Sequence, residues 1–187
     1  GILVAKLVGA EGYGFYGLVA VAAQFMSYGN LGIFNGLNRE LPISKALKSR
    51  EEEASIYDAV YSFTLVSTIL SSILFISLIG LFENTSNFND GQIIAFILLI
   101  YISGNIESFF YNSVKGENQL KVWSIYVSVR PVLDSITSLI FVYLFGYKGF
   151  VLSIIVSKII SIFILSNYYS GSIPSFRISK KINKLLI

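Results

Sequence analysis

Long apolar runs separated by short polar segments organise this chain. At ~1.5 Å per helical residue, about 20 apolar residues cross the ~30 Å hydrocarbon core of a bilayer. Runs of that kind cover residues 15–37, 59–82, 92–113, 122–145 and 150–169, and residues 2–8 read as the end of another. The predicted fold is an all-α integral membrane bundle of five full spans plus a partial first span. Between the runs lie 9–17, 38–58, 83–91, 114–121 and 146–149. Segment 9–17 (GAEGYGFYG) has no buried strand before it, so it reads as a tight turn with interfacial Tyr13 and Tyr16 rather than a phosphate loop. In 38–58, Pro42 is expected to break the helix, and Glu51, Glu52 and Glu53 read as a solvated helix start, where acids suit the macrodipole. Asn84-Thr85-Ser86 in 83–91 matches a glycosylation tripeptide that is common by chance.

Composition agrees with the pattern. The chain is 54% hydrophobic and 13% charged, with mean hydropathy +0.69, against about 25% charged residues in ordinary soluble domains. It has neither Cys nor His, so it lacks a disulfide frame, the usual metal ligands, a proton shuttle and a triad base. Those absences point away from an enzyme. Neither a cofactor, a metal nor a nucleic-acid partner is expected. The chain opens without Met in GILVAKLVGA and ends in the basic, amphipathic IPSFRISKKINKLLI. It reads as a piece of a longer protein, with 172–187 a basic cytoplasmic segment leading to a missing carboxy-terminal lobe.

Charge placement predicts orientation. Arg39, Lys45, Lys48, Arg50, Lys115, Lys121, Arg177, Lys180, Lys181 and Lys184 fall in alternate connections. The opposite connections hold Lys148 and Lys6. The excess of Lys and Arg places the first set in the cytoplasm. Four charges fall inside the spans: Glu107, Arg130, Asp134 and Lys158. Arg130 and Asp134 are four apart and share a helix face, and Pro131 beside them is expected to kink the helix. Depth along the helices predicts two pairs, Glu107 with Arg130 and Asp134 with Lys158. Such pairs either neutralise one another and fix helix register or line a substrate or ion path. Asn35 and Asn105 are further polar candidates for a cavity lining.

The run LVGAEGYGFYGLVAVAAQFMSYGNLGIFNGLNRELP resembles the opening of the bacterial polysaccharide flippases, the O-antigen and capsule exporters of the MATE-like superfamily. The residues that carry the resemblance include Gly9, Gly12, Gly14, Gly17, Gly32, Asn35, Arg39, Glu40 and Pro42. The resemblance implies two six-helix lobes around a central cavity, of which this chain supplies most of the amino-terminal one. It also implies movement of a polyprenyl-diphosphate-linked oligosaccharide from the inner to the outer leaflet of the bacterial cytoplasmic membrane. An H+- or Na+-coupled alternating-access cycle is implied, with glycan-assembly proteins such as a polysaccharide polymerase as partners. Arg130 suits a diphosphate, because guanidinium binds phosphate through paired donors; Asp134 or Glu107 would carry the coupling ion. Two alternatives stand beside this reading: a MATE-type multidrug or cation antiporter, and a non-transporting membrane scaffold of glycan assembly.

Overall fold

The computed structural model describes residues 2–82, 91–169, 176 and 185, and its elements are helical throughout. They are α1 (Ile2–Ser27), a short 3-10 turn (Tyr28–Asn30), α2 (Ile33–Ala46), α3 (Arg50–Phe82), α4 (Gly91–Gly116) and α5 (Leu120–Ser166). Three of these, α3, α4 and α5, are long and apolar enough to cross a membrane, and α1 with α2 makes a fourth candidate if the bent pair is one span. The outward faces agree. Ile69, Leu70, Ile73 and Leu74 on α3, and Val132, Ile136, Ile140 and Leu144 on α5, are all exposed. Water would disfavour such faces; lipid accepts them. This is a transmembrane helical protein.

The 47-residue α5 is not one rod. Its backbone leaves helical geometry at Gly146 (φ 62°, ψ −143°), a conformation nearly restricted to glycine. Asp134 bonds Ser157, Ser138 Oγ lies 3.2 Å from Ser153 Oγ, and Gly149 sits against the Phe141 carbonyl. These pairs meet in reverse order, so residues 120–145 and 147–166 form antiparallel arms. Gly149, Ser153, Ser157 and Ser161 recur every fourth residue and are all buried. Small side chains on one stripe let the arms approach closely. At ~1.5 Å per residue the arms are roughly 39 Å and 30 Å long, each enough for a bilayer core.

The first half departs from several expectations. The break in 9–17 is confined to Gly9 (φ 75°), and Gly12, Gly14 and Gly17 are helical. Residues 15–37 do not form one continuous helix. The helix stops at Tyr28–Asn30, passes through left-handed Leu31 and Gly32, and resumes as α2 at 50° to α1. Pro42 does not end α2, which continues to Ala46. Proline removes only its own N–H from the ladder, and the buried face of Ile33, Leu37 and Leu41 holds the helix against α3 and α4. Likewise Pro131 sits in helical backbone; within α5 the non-helical residue is Gly146. Glu51, Glu52 and Glu53 do occupy the first turn of α3. Residues 83–90 with their glycosylation tripeptide, and the basic segment apart from Phe176 and Leu185, lie outside the described residues.

Two turns at one end share a design. Lys48 and Asn118 are left-handed; Ser49 N–H donates to Ser44 O (3.3 Å) and Lys48 N–H to Lys45 O (3.0 Å). Gln119 N–H to Val114 O (3.3 Å) and Asn118 N–H to Lys115 O (3.1 Å) repeat that pattern. This double bond satisfies helix-end carbonyls while reversing the chain in three residues. Lys45 and Tyr57 both reach Glu117, so the turns are neighbours, and Lys45, Lys48, Arg50, Lys115 and Lys121 gather there. Lys148 lies at the far end, beside the Gly146 turn and bonded to Gln92 (2.9 Å).

Candidate functional site

Three helices bring their charges to one level. Counting ~1.5 Å per residue from the basic end, Glu107 on α4, Arg130 on the first arm of α5 and Lys158 on the second lie roughly 12–15 Å deep. That is near mid-bilayer if the helices cross one. Glu107 is 7% exposed and is the hub. It accepts a hydrogen bond from Tyr126 Oη (2.6 Å), an ion pair from Lys158 Nζ (3.1 Å) and ion pairs from the terminal nitrogens of Arg130. Arg130 Nε then bridges both carboxylate oxygens of Asp134 (2.9 and 3.1 Å). Asp134 also accepts from the Ser157 hydroxyl.

The expected Glu107–Arg130 pair is therefore present. Lys158 does not pair with Asp134; it turns to Glu107, and Asp134 is held within its own helix by Arg130. The reason is local. Asp134 lies one helical turn from Arg130 on the same face, whereas Lys158 passes over Gly104, three residues from Glu107 on α4. A methyl group at Gly104 would lie 3.2 Å from Nζ and 3.8 Å from Cε. The missing side chain leaves room for the lysine.

Lys158 also borders an open cleft of about 470 Å³ between α1, α4 and the second arm of α5. Gln24, Ser27, Asn30, Asn105 and Ser108, with the phenols of Tyr16 and Tyr101, supply its other polar groups, and Lys158 is the charged side chain among the described lining residues. Asn105 is 3% exposed; it accepts from Asn30 Nδ2 (2.9 Å) and donates to Thr68 Oγ1 (2.7 Å). Ser67 Oγ donates to the Gly29 carbonyl (2.8 Å). The interrupted backbone between α1 and α2 is thus tied to α3 and α4 where hydrocarbon would leave it unsatisfied.

Other sequence candidates lie elsewhere. Asn35 is exposed and its side chain joins no bond of this network. Arg39 and Glu40 pair with one another through Nε and Oε1 (3.1 Å), and Pro42 is in α2 on the basic side of the bundle. Gly12 is buried, with space for a side chain denied by Val8 and Tyr147, while Gly14 is exposed with open space around it. Sequence reasoning missed Tyr126 and Ser157. The spacing Tyr126–Arg130–Asp134 carries a signal for the first, since all three lie on one helix face.

A second interior carboxylate was also missed, because 114–121 reads as a surface loop. The Glu117 side chain is fully buried. It accepts from Tyr57 Oη (2.6 Å) and Gln119 Nε2 (2.7 Å), with Lys45 Nζ at 3.9 Å. Gln119 also donates to the Tyr168 carbonyl (3.0 Å). Burial, with Glu117 and Asp58 nearby, raises the Tyr169 phenol above its usual range. No known protein family, curated protein or solved structure matches the chain.

Proposed function

We propose that this chain forms five full spans and part of a sixth in the amino-terminal lobe of a membrane transporter, as the flippase resemblance implies. It would move a polyprenyl-diphosphate-linked oligosaccharide from the inner to the outer leaflet of a bacterial cytoplasmic membrane. The observation that carries the reading is Lys158, an interior cation facing a cleft lined in part by polar side chains between apolar helices. Ionisable groups at that depth are costly and more often line a transport path than a purely structural contact. A cation at the cleft suits an anionic cargo such as a diphosphate and disfavours the cationic cargo of a drug antiporter. Coupling to H+ or Na+ would fall to Glu107 or Asp134, and a polymerase or other glycan-assembly proteins would receive the product.

The test is surface-polysaccharide display in a strain deleted for the full-length gene, restored with wild type, Arg130→Gln or Lys158→Gln at matched membrane levels. Loss of display with lipid-linked glycan accumulating inside is the expected result for Lys158→Gln. Normal display with both variants would return these charges to a structural role, as a scaffold requires. Normal display in the deletion itself would remove the flippase reading.

A further inference from the structure

We infer that Lys158 is an exchangeable latch, held by Glu107 in this structure and transferred to an anionic ligand when one occupies the cleft. The inference rests on the cleft being a ligand site; it goes beyond the transport reading by assigning separate tasks to the two interior cations. Arg130 is fixed. Its Nε bridges Asp134 while its terminal nitrogens reach Glu107 and Tyr126. Moving a planar fork held on three sides breaks several bonds at once.

Lys158 is held differently. Among the described residues its ammonium has one ion-pair partner, Glu107 Oε2, and it ends a flexible stem that already borders the cleft. Gly104 leaves the space over α4 in which that stem can swing. Departure of the lysine does not orphan the carboxylate, since Glu107 keeps Arg130 and the Tyr126 hydroxyl. A phosphate oxygen entering the cleft would offer the ammonium a second anion with similar hydrogen-bond geometry. Gln24, Asn30 and Asn105 also line the cleft and would supply polar contacts to the remainder of such a ligand. Binding and release of Lys158 from α4 are then one event. Glu107 acts as the resident competitor for the ligand, so it sets affinity as well as geometry.

The inference predicts opposite signs for two neutralising substitutions. The full-length protein in detergent is titrated calorimetrically with inorganic pyrophosphate and with farnesyl diphosphate. Lys158→Gln should weaken binding about tenfold or more, as loss of a charge-assisted bond implies. Glu107→Gln should tighten it several-fold by freeing the lysine. The chain contains no Cys, which gives a control that bypasses folding. Lys158→Cys in a cysteine-free background should bind weakly, and attaching an ethylammonium group through a methanethiosulfonate should restore binding in the already folded protein.

Equal binding to both probes would assign the site to phosphate itself, and preference for farnesyl diphosphate to a lipid-linked phosphate; either supports the latch if the signs are as stated. Weakening by Glu107→Gln, or no recovery on restoring the ammonium, would overturn it. Failure of both probes to bind wild type would overturn it too, while the display experiment judges transport independently.

Discussion

The partner choice of Lys158 can be tested by two double-mutant cycles sharing one residue. The Lys158–Glu107 separation of 3.1 Å corresponds to roughly 5 kcal/mol of attraction at an effective dielectric constant of about 20. Desolvation offsets much of that, because both side chains lie well inside the bundle, 18% and 10% exposed. Replacing Glu107 by Gln leaves Lys158 without its counter-charge while Arg130 keeps Asp134, so a loss of about 3–5 kcal/mol is expected. Lys158→Gln should cost less, about 1–2 kcal/mol, because Glu107 retains Arg130 and Tyr126. The double variant should fall short of the sum by about 1–3 kcal/mol, the range for residues in direct contact.

The second cycle pairs Lys158→Gln with Asp134→Asn. Asp134 is about half exposed at its side chain and bonded to Arg130 and Ser157, so solvent screening reduces its reach. Its coupling to Lys158 should be less than half that of Glu107. The assay is thermal unfolding of the purified protein in one detergent, followed by helical circular dichroism and read as differences between variants. Additivity within about 0.5 kcal/mol in the Glu107 cycle would refute the pairing. Larger coupling in the Asp134 cycle would restore the pairing predicted from depth alone.

Asn105→Leu should destabilise the fold by about 1–3 kcal/mol, since it takes the acceptor of Asn30 Nδ2 and the donor to the Thr68 hydroxyl out of the interior; unfolding that matches wild type would remove Asn105 from the network. Tyr57→Phe takes one donor from the buried Glu117 and should cost a similar ~1–3 kcal/mol. It should also speed proteolysis at the 117–119 turn, and unchanged cleavage would contradict its role there. Gly146→Ala meets open space, so its cost of about 1–3 kcal/mol comes from backbone alone; Gly146→Asn should cost about as much, because φ 62° with ψ −143° lies outside the left-handed well that Asn tolerates, and unfolding of either variant that matches wild type would refute the backbone reading.

The sequence by itself determined the solvent in which this chain folds. Apolar runs and the scarcity of charge follow from composition, and the alternation of basic connections reappears as Lys45, Lys48, Arg50, Lys115 and Lys121 gathered at one end. The reversal at Gly146 was legible because glycine in a short polar gap permits a backbone that other residues resist. The pair Glu107–Arg130 was legible because helical rise converts position into depth. Rise does not give azimuth. Whether Lys158 meets Asp134 or Glu107 depends on how α4 and the two arms rotate about their axes, and that follows from packing at Gly104, Gly149 and the Ser153–Ser157–Ser161 stripe. Tertiary structure alone also carried α2 through Pro42, because burial of Leu37 and Leu41 outweighs one lost bond. It likewise buried the side chain of Glu117 within its turn, where Tyr57 and Lys45 arrive from distant parts of the chain.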